Sequence, residues 1–200
     1  TTIGPVHITP DGVYWIADGR DLLRVTPDRR QRTVVRPADG LTGGGILCFA
    51  TGADGTLWVG TTKGLLQLDS GGRWLRHDLP GGMPPRSIAD LAVAADGNLW
   101  LALPAEVIDE VALEGGVVRL RPGLGSEFWS SGSIYEIPDG FGLGQNSVAV
   151  AADGSVWTGG DAGIARGDSA GLWRPMNHEA GLELFETVGD LEIDARGLVW

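Results

Sequence analysis

Ala53-Asp54-Gly55-Thr56-Leu57-Trp58-Val59-Gly60 is the stretch on which the rest of the chain is patterned. It returns as Ala95-Asp96-Gly97-Asn98-Leu99-Trp100-Leu101-Ala102 and as Ala152-Asp153-Gly154-Ser155-Val156-Trp157-Thr158-Gly159. Upstream it reads Pro10-Asp11-Gly12-Val13-Tyr14-Trp15, and at the end Ala195-Arg196-Gly197-Leu198-Val199-Trp200. The tryptophans at 15, 58, 100, 157 and 200 are separated by 43, 42, 57 and 43 residues. A period of roughly 40–45 residues marks stacked repeats or propeller blades.

Local patterning chooses strands over helices. Apolar runs precede each Asp-Gly (Ile46 to Phe49, Ile88 to Val93, Val148 to Val150, Leu191 to Ile193), and a second run follows around each Trp. Asp-Gly between two such runs predicts a hairpin with a type I′ turn, which needs positive φ at both central residues. A third run follows after a glycine-containing gap (Leu22 to Val25, Leu65 to Leu68, Ile164 to Arg166), and a fourth after a polar turn (Arg32 to Val35, Arg73 to Arg76, Leu172 to Arg174). Four strands, A to D, repeating every 43 residues predict an all-β propeller of four-stranded antiparallel blades. The blades are expected at about 1–36, 46–79, 88–137 and 147–176, with a partial one at 187–200. A sustained 3.6-residue period, which helical repeats would need, is missing.

With about four and a half blades, the ring does not close by itself. The chain is expected to be a segment of a larger propeller, completed by further residues or a second chain. The third repeat carries the extra length. Its B–C loop, 104–115, places Val107, Ile108, Val111 and Ala112 at helical spacing, which predicts a short amphipathic helix. Its C–D turn is read as Gly123 to Ser133, with Trp129 outside the Trp register.

The segment from Asp54 to Asp69, together with Asp39-Gly40-Leu41 and Gln145-Asn146-Ser147-Val148, resembles the two-component-regulator propeller repeat. Pro10 to Trp15 more distantly resembles the repeat of streptogramin lyase. The first resemblance implies a bacterial, extracytoplasmic ligand-sensing module. The second implies that a metal-dependent propeller lyase or lactonase is an alternative, and a structural subunit of a larger assembly is another.

Composition narrows the partners. A net charge of −11 disfavours nucleic acid and anionic membranes, both of which are bound through Lys and Arg. No apolar run approaches the length of a membrane span. Cys48, the single cysteine, lies in an apolar strand and reads as a buried thiol. The three histidines, His7, His77 and His178, lack metal-ligand spacing, and no cofactor is implied. Asp90, Asp190 and Glu192 on A strands could face a channel, where solvation is the simpler role. Gly43-Gly44-Gly45 lacks the Gly-Lys-Ser/Thr that a phosphate loop needs. Gly167-Asp168-Ser169-Ala170-Gly171 matches the nucleophile-elbow spacing, but the repeat alignment puts it on a strand-to-strand turn. Four copies of the turn aspartate (Asp11, Asp54, Asp96, Asp153) argue for architecture, since a catalytic site is used once.

A propeller's D–A linkers and B–C loops gather on one face, where ligand sites form. Polar and aromatic residues that vary among these linkers are Arg86, Phe141, Gln145, Asn146, His178 and Phe185. They are the expected binding residues for a small-molecule or glycan ligand or a protein partner, with no catalytic or metal-binding residue assigned.

Overall fold

The computed structural model describes residues 4–42, 44–69, 71–137, 143–182, 186–194 and 196–200. The chain divides into two compact units, Thr1–Ile88 and Ala89–Trp200. In the first, strands β1 (Val6–Ile8), β2 (Tyr14–Asp18), β3 (Asp21–Val25) and β4 (Arg32–Val35) form one antiparallel meander, and β5 (Ile46–Thr51), β6 (Leu57–Thr61), β7 (Gly64–Leu68) and β8 (Trp74–His77) form another. The second unit contains β9 (Asp90–Val93), β10 (Leu99–Leu103), β13 (Gly116–Arg121) and β14 (Gly125–Ser130), then β15 (Gln145–Val150), β16 (Val156–Gly160), β17 (Gly163–Gly167) and β18 (Trp173–Pro175). Glu192 and Trp200 exchange backbone hydrogen bonds of 3.2 and 2.9 Å, opening a further hairpin. The fold is all-β, with four-stranded antiparallel sheets of the propeller-blade type.

The recurring Asp-Gly stretch folds by one device. Gly55 sits at φ 81°, its amide donating to the Gly52 carbonyl at 2.9 Å, while Gly52 donates to Thr56 at 2.9 Å. Gly12, Gly97, Gly154 and Gly197 repeat this left-handed conformation at φ 80–82°. Asp54 is not among the residues with positive φ, so the type I′ expectation is corrected. The loop has three residues, a turn followed by one left-handed glycine and a bulge. The aspartate is then free to use its side chain: Asp54 accepts the Thr56 amide at 3.0 Å, Asp96 that of Asn98 at 3.0 Å, and Asp153 that of Ser155 at 2.9 Å. This Asx arrangement replaces water on amides that the bulge leaves out of the ladder.

The first three repeats bury their strand-B tryptophan against strand C, while Trp157 of the fourth is half-buried and Trp200 is exposed. Trp15, Trp58 and Trp100 are 3–5% exposed. Opposite them stand Arg24, Gln67 and Arg119, and Trp157 faces Arg166. The guanidinium carbons lie 5.8, 5.3 and 5.7 Å from the rings of Trp15, Trp100 and Trp157. The repeat thus pairs an aromatic face with a cation across two strands, a contact worth about 0.5–1 kcal/mol at exposed sites and more when desolvated. In the second repeat a histidine substitutes: His77 packs 4.9 Å from Trp58, with Nε2 2.7 Å from Gln67 Oε1.

A small residue lets the chain pack closely beside the second sheet. A Cβ on Gly60 would run into Cys48 Sγ and lie 3.2 Å from the Ile88 carbonyl. Cys48 itself is buried, with Sγ 3.5 Å from that carbonyl. The first unit's core joins Trp15, Ala17 and Leu22 of one sheet to Ile46, Leu57, Val59 and Leu66 of the other. His7 crosses between them, its Nε2 2.7 Å from Thr51 Oγ1, and burial holds its pKa below the usual imidazole value.

Two features of the third repeat differ from expectation. The 104–115 insert is a β-hairpin, β11 (Glu106–Ile108) paired with β12 (Val111–Leu113), and no helix. Asp109 and Glu110 form its tip at φ 49° and 66°, a two-residue turn of the I′ kind. Val107, Ile108 and Val111 are β-branched, which favours the pleated strand over the helix. Trp129 lies on strand β14, where it pairs with Val117, and not in a long turn. The turn is shorter than expected because Leu124 donates to the Arg121 carbonyl at 2.9 Å and the ladder resumes at Gly125. Trp129 stacks on Trp100 with ring centroids 5.7 Å apart, and Trp173 meets both edge-on.

Candidate ligand and partner face

The two linker-and-loop regions of the second unit are held by buried amides. Gln145 is 0% exposed. Its Nε2 donates to Ser131 Oγ at 3.0 Å, and its Oε1 lies 2.9 Å from the Thr158 hydroxyl. The Tyr135 hydroxyl donates to the Gly163 carbonyl at 2.8 Å and sits 3.4 Å from Gln145 Oε1. Burial pushes the Tyr135 phenol above its ordinary pKa, so it stays a donor. Tyr135 closes the short helix α1 (Ser131–Tyr135), which Ser130 caps by accepting the Ser133 amide. Asn177 opens α2 (Asn177–Ala180), where its Oδ1 accepts the Ile164 amide at 2.7 Å and its Nδ2 donates to the Ala162 carbonyl at 2.8 Å. Gly144 and Asp161 are tied twice, through the Asp161 carboxylate at 2.8 Å and the Asp161 amide at 3.1 Å.

This geometry sorts the residues expected to bind. Gln145 is a brace for the linker and is closed to a ligand. Arg86 belongs to the first unit and is 2% exposed, so its side chain is likewise closed to solvent. Asn146 is half-buried, donating to the Val188 carbonyl at 3.3 Å. His178 is exposed on α2. Phe141 and Phe185 lie outside the described residues. Of the six, Asn146 and His178 are the described ones within reach of solvent. The Gln145–Tyr135–Ser131–Thr158 network was not legible as a unit, because Tyr135 and Ser131 sit in a helix that no sequence signal announced.

Beside α2, a groove of about 510 Å³ is lined by Trp157, Ile164, Met176, Glu179, Leu191 and Trp200. It falls in the size range of ligand pockets. Smaller clefts repeat in register at the A–B turns: about 190 Å³ around Asp11, Trp15, Arg24 and Asp54, and about 270 Å³ around Asp96, Asn98, Arg119 and Asp153. Their carboxylates and cations already serve turns and Trp faces.

Asp90 and Asp190 act on backbone. Asp90 accepts the amides of Leu91 at 2.8 Å and Val148 at 2.9 Å, and Asp190 accepts that of Leu191 at 2.9 Å. Burial raises the Asp90 pKa, and the charge of Asp190 adds to the rise. Among the described residues no group of three or more metal-ligating side chains converges. Gly167 to Gly171 forms a strand-to-strand turn, in which Asp168 Oδ1 accepts the amides of Ala170 and Leu172 at 2.9 Å. The Ser169 carbonyl accepts from Arg119 at 2.7 Å. No helix of the described residues is long and apolar enough to cross a membrane.

A family model described as "Two component regulator propeller" matches residues 40–63. Among solved structures, the chain is similar over its full length to the extracellular domain assigned to the one component system BT4673 from B. thetaiotaomicron (15% identity, TM-score 0.76). It is similar over 98% of its length to that assigned to the hybrid two component system BT3049 of the same organism (14% identity, TM-score 0.72). The chain spans 26% of each of those chains. It also matches a streptogramin B lyase structure over 99% of its own length and 61% of the lyase, at 14% identity and a TM-score of 0.70. No curated protein matches. At these identities the likeness establishes the fold, and the chain has a β-propeller fold that carries a repeat of the two-component-regulator type.

Proposed function

We propose that the chain is a recognition module of an extracytoplasmic propeller, binding a small molecule, a glycan or a protein partner without converting it. The observation that carries this reading is the pairing of the regulator-type repeat at 40–63 with a full-length match to an extracellular domain assigned to a one component system. The internal chemistry supports it. The polar side chains that recur between repeats are used on turns and linkers, which is how a scaffold presents variable loops. Asn146 and His178 are within reach of solvent, and the groove beside α2 offers a mixed polar and apolar lining.

The test is a thermal-unfolding screen against neutral and acidic oligosaccharides and short peptides, run beside turnover assays with a gluconolactone and a streptogramin B. A ligand at 100 times its Kd stabilises by about 2.7 kcal/mol, or roughly 5–11 °C for a chain of this size. A shift of that order from one ligand class, reduced by His178→Ala, is expected. Turnover of either assay substrate, with no stabilising ligand in the screen, would overturn the reading.

A further inference from the structure

We infer that the β11–β12 hairpin is a docking prong that accepts an extended, cationic segment of a partner protein as an added strand. This goes beyond the ligand reading and does not depend on it. The hairpin stands apart from the four-stranded sheets: among the described residues its sheet contains β11 and β12 alone. Val107 is 72% and Val111 58% exposed, though both are β-branched residues that a blade would bury. Edge strands are kept from pairing with other chains by shortness, Pro, a bulge or charged side chains, and the sign of that charge decides which partner is turned away. Between 104 and 115 there is no Lys or Arg, while Glu106, Asp109, Glu110 and Glu114 are all acidic. Val107 and Val111 lie on opposite faces of the hairpin, and acidic residues of one sign beside them select a partner of the other sign. The same charge, within a chain of net −11, disfavours a second copy as the occupant.

The prong is also held in place. The Gly115 amide donates to the Leu143 carbonyl at 3.1 Å, and Glu114 Oε1 accepts the Gly132 amide at 2.9 Å. Asp109 and Glu110 hold the left-handed tip at φ 49° and 66°. A fixed two-stranded template lowers the entropy lost when a third strand adds, and main-chain hydrogen bonds then supply affinity while alternate side chains supply specificity.

The experiment measures binding of three nine-residue peptides to the chain at about 50 mM salt, where the screening length is roughly 14 Å. One alternates Lys and Val, one alternates Lys and Pro, and one alternates Glu and Val. The Lys-Val peptide is expected to bind at least tenfold more tightly than either control, because in the second every Pro removes an amide and favours a polyproline II path over a strand, and the third has the wrong charge. The double variant Asp109→Asn/Glu110→Asn keeps residues tolerated in the left-handed region. It should unfold at the wild-type temperature and bind three- to tenfold more weakly. Val107→Ser, on an exposed position, should also weaken binding. Equal binding of the Lys-Val and Lys-Pro peptides would overturn the proposal, as would unchanged binding by the variants. Sedimentation showing the hairpin buried between two copies would overturn it too.

Discussion

Removing Arg119 tests whether the Trp–Arg pair is a structural unit of the repeat or an ornament of it. Arg119 is 8% exposed. Its Nε donates to Glu127 at 2.8 Å, with a second contact from Nη2, and Nη1 donates to the Ser169 carbonyl at 2.7 Å. Its guanidinium lies over both Trp100 and Trp129, at 5.3 and 5.4 Å. Truncation to alanine loses a charge-assisted hydrogen bond to a carbonyl, about 1.5–3 kcal/mol, and two aromatic contacts of about 0.5–1 kcal/mol each. The Glu127 pair adds little, because Glu127 is 36% exposed and keeps Arg121 at 2.9 Å. The sum is a loss of about 2.5–5 kcal/mol, which at about 2–4 °C per kcal/mol lowers Tm by roughly 5–20 °C. Arg24 is the internal control, since it stands in the same register but has one ring contact, at 5.8 Å. Arg24→Ala should cost about 0.5–1 kcal/mol. Calorimetric unfolding of the two variants beside wild type makes the comparison. Equal losses, or a loss below about 1 kcal/mol for Arg119→Ala, would refute the reasoning.

Other outcomes follow from particular side chains. Asp90 has a raised pKa, so the folded state holds its proton more tightly than the unfolded chain, and its contribution falls as pH rises from the unfolded value through the folded one. Asp90→Asn, which keeps an acceptor for the Val148 amide but gives up that of the Leu91 amide, should flatten that fall, read from urea midpoints across pH 3–8. Asp54 has the opposite sign: the Thr56 amide and hydroxyl lower its pKa, so its stabilisation is present above the unfolded carboxylate range and is lost as pH falls through the lower, folded value. Asp54→Asn should therefore flatten the acid limb and lower stability at neutral pH, where the carboxylate's contribution is present, with little change at the acid end. Tyr135→Phe leaves the Gly163 carbonyl without its 2.8 Å donor in a buried site and should cost about 1–3 kcal/mol by chemical denaturation.

The blades were legible because their signals are local and repeated. A tryptophan at a fixed period, an Asp-Gly before it and an alternating run after it place strands A to C without any long-range knowledge. The turn type was not legible from Asp-Gly alone. The choice between a two-residue and a three-residue loop depends on ladder register, which Gly52 and Thr56 decide by pairing with each other. The insert at 104–115 misled because Val107, Ile108, Val111 and Ala112 fit both a helical face and a hairpin with a two-residue tip. Non-glycine residues at φ 49° and 66° give no sequence warning. Gln145 and Arg86, both expected on an open binding face, are buried, and the reason is general. Variation among linkers marks a residue as locally specific, but a buried polar side chain is as specific as a ligand-binding one, and burial is set by partners far away in sequence. Arg24, Arg119 and Arg166 could have been found, since each lies on strand C across from the repeat tryptophan.

The central claim is recognition without conversion. It is tested most directly by incubating the protein with a ligand that raises its Tm and then measuring the recovered ligand by mass spectrometry. The account predicts a ligand returned with unchanged mass and structure, at one equivalent bound per chain. A mass change that accumulates over many equivalents, and is abolished by heating the protein first, would contradict it.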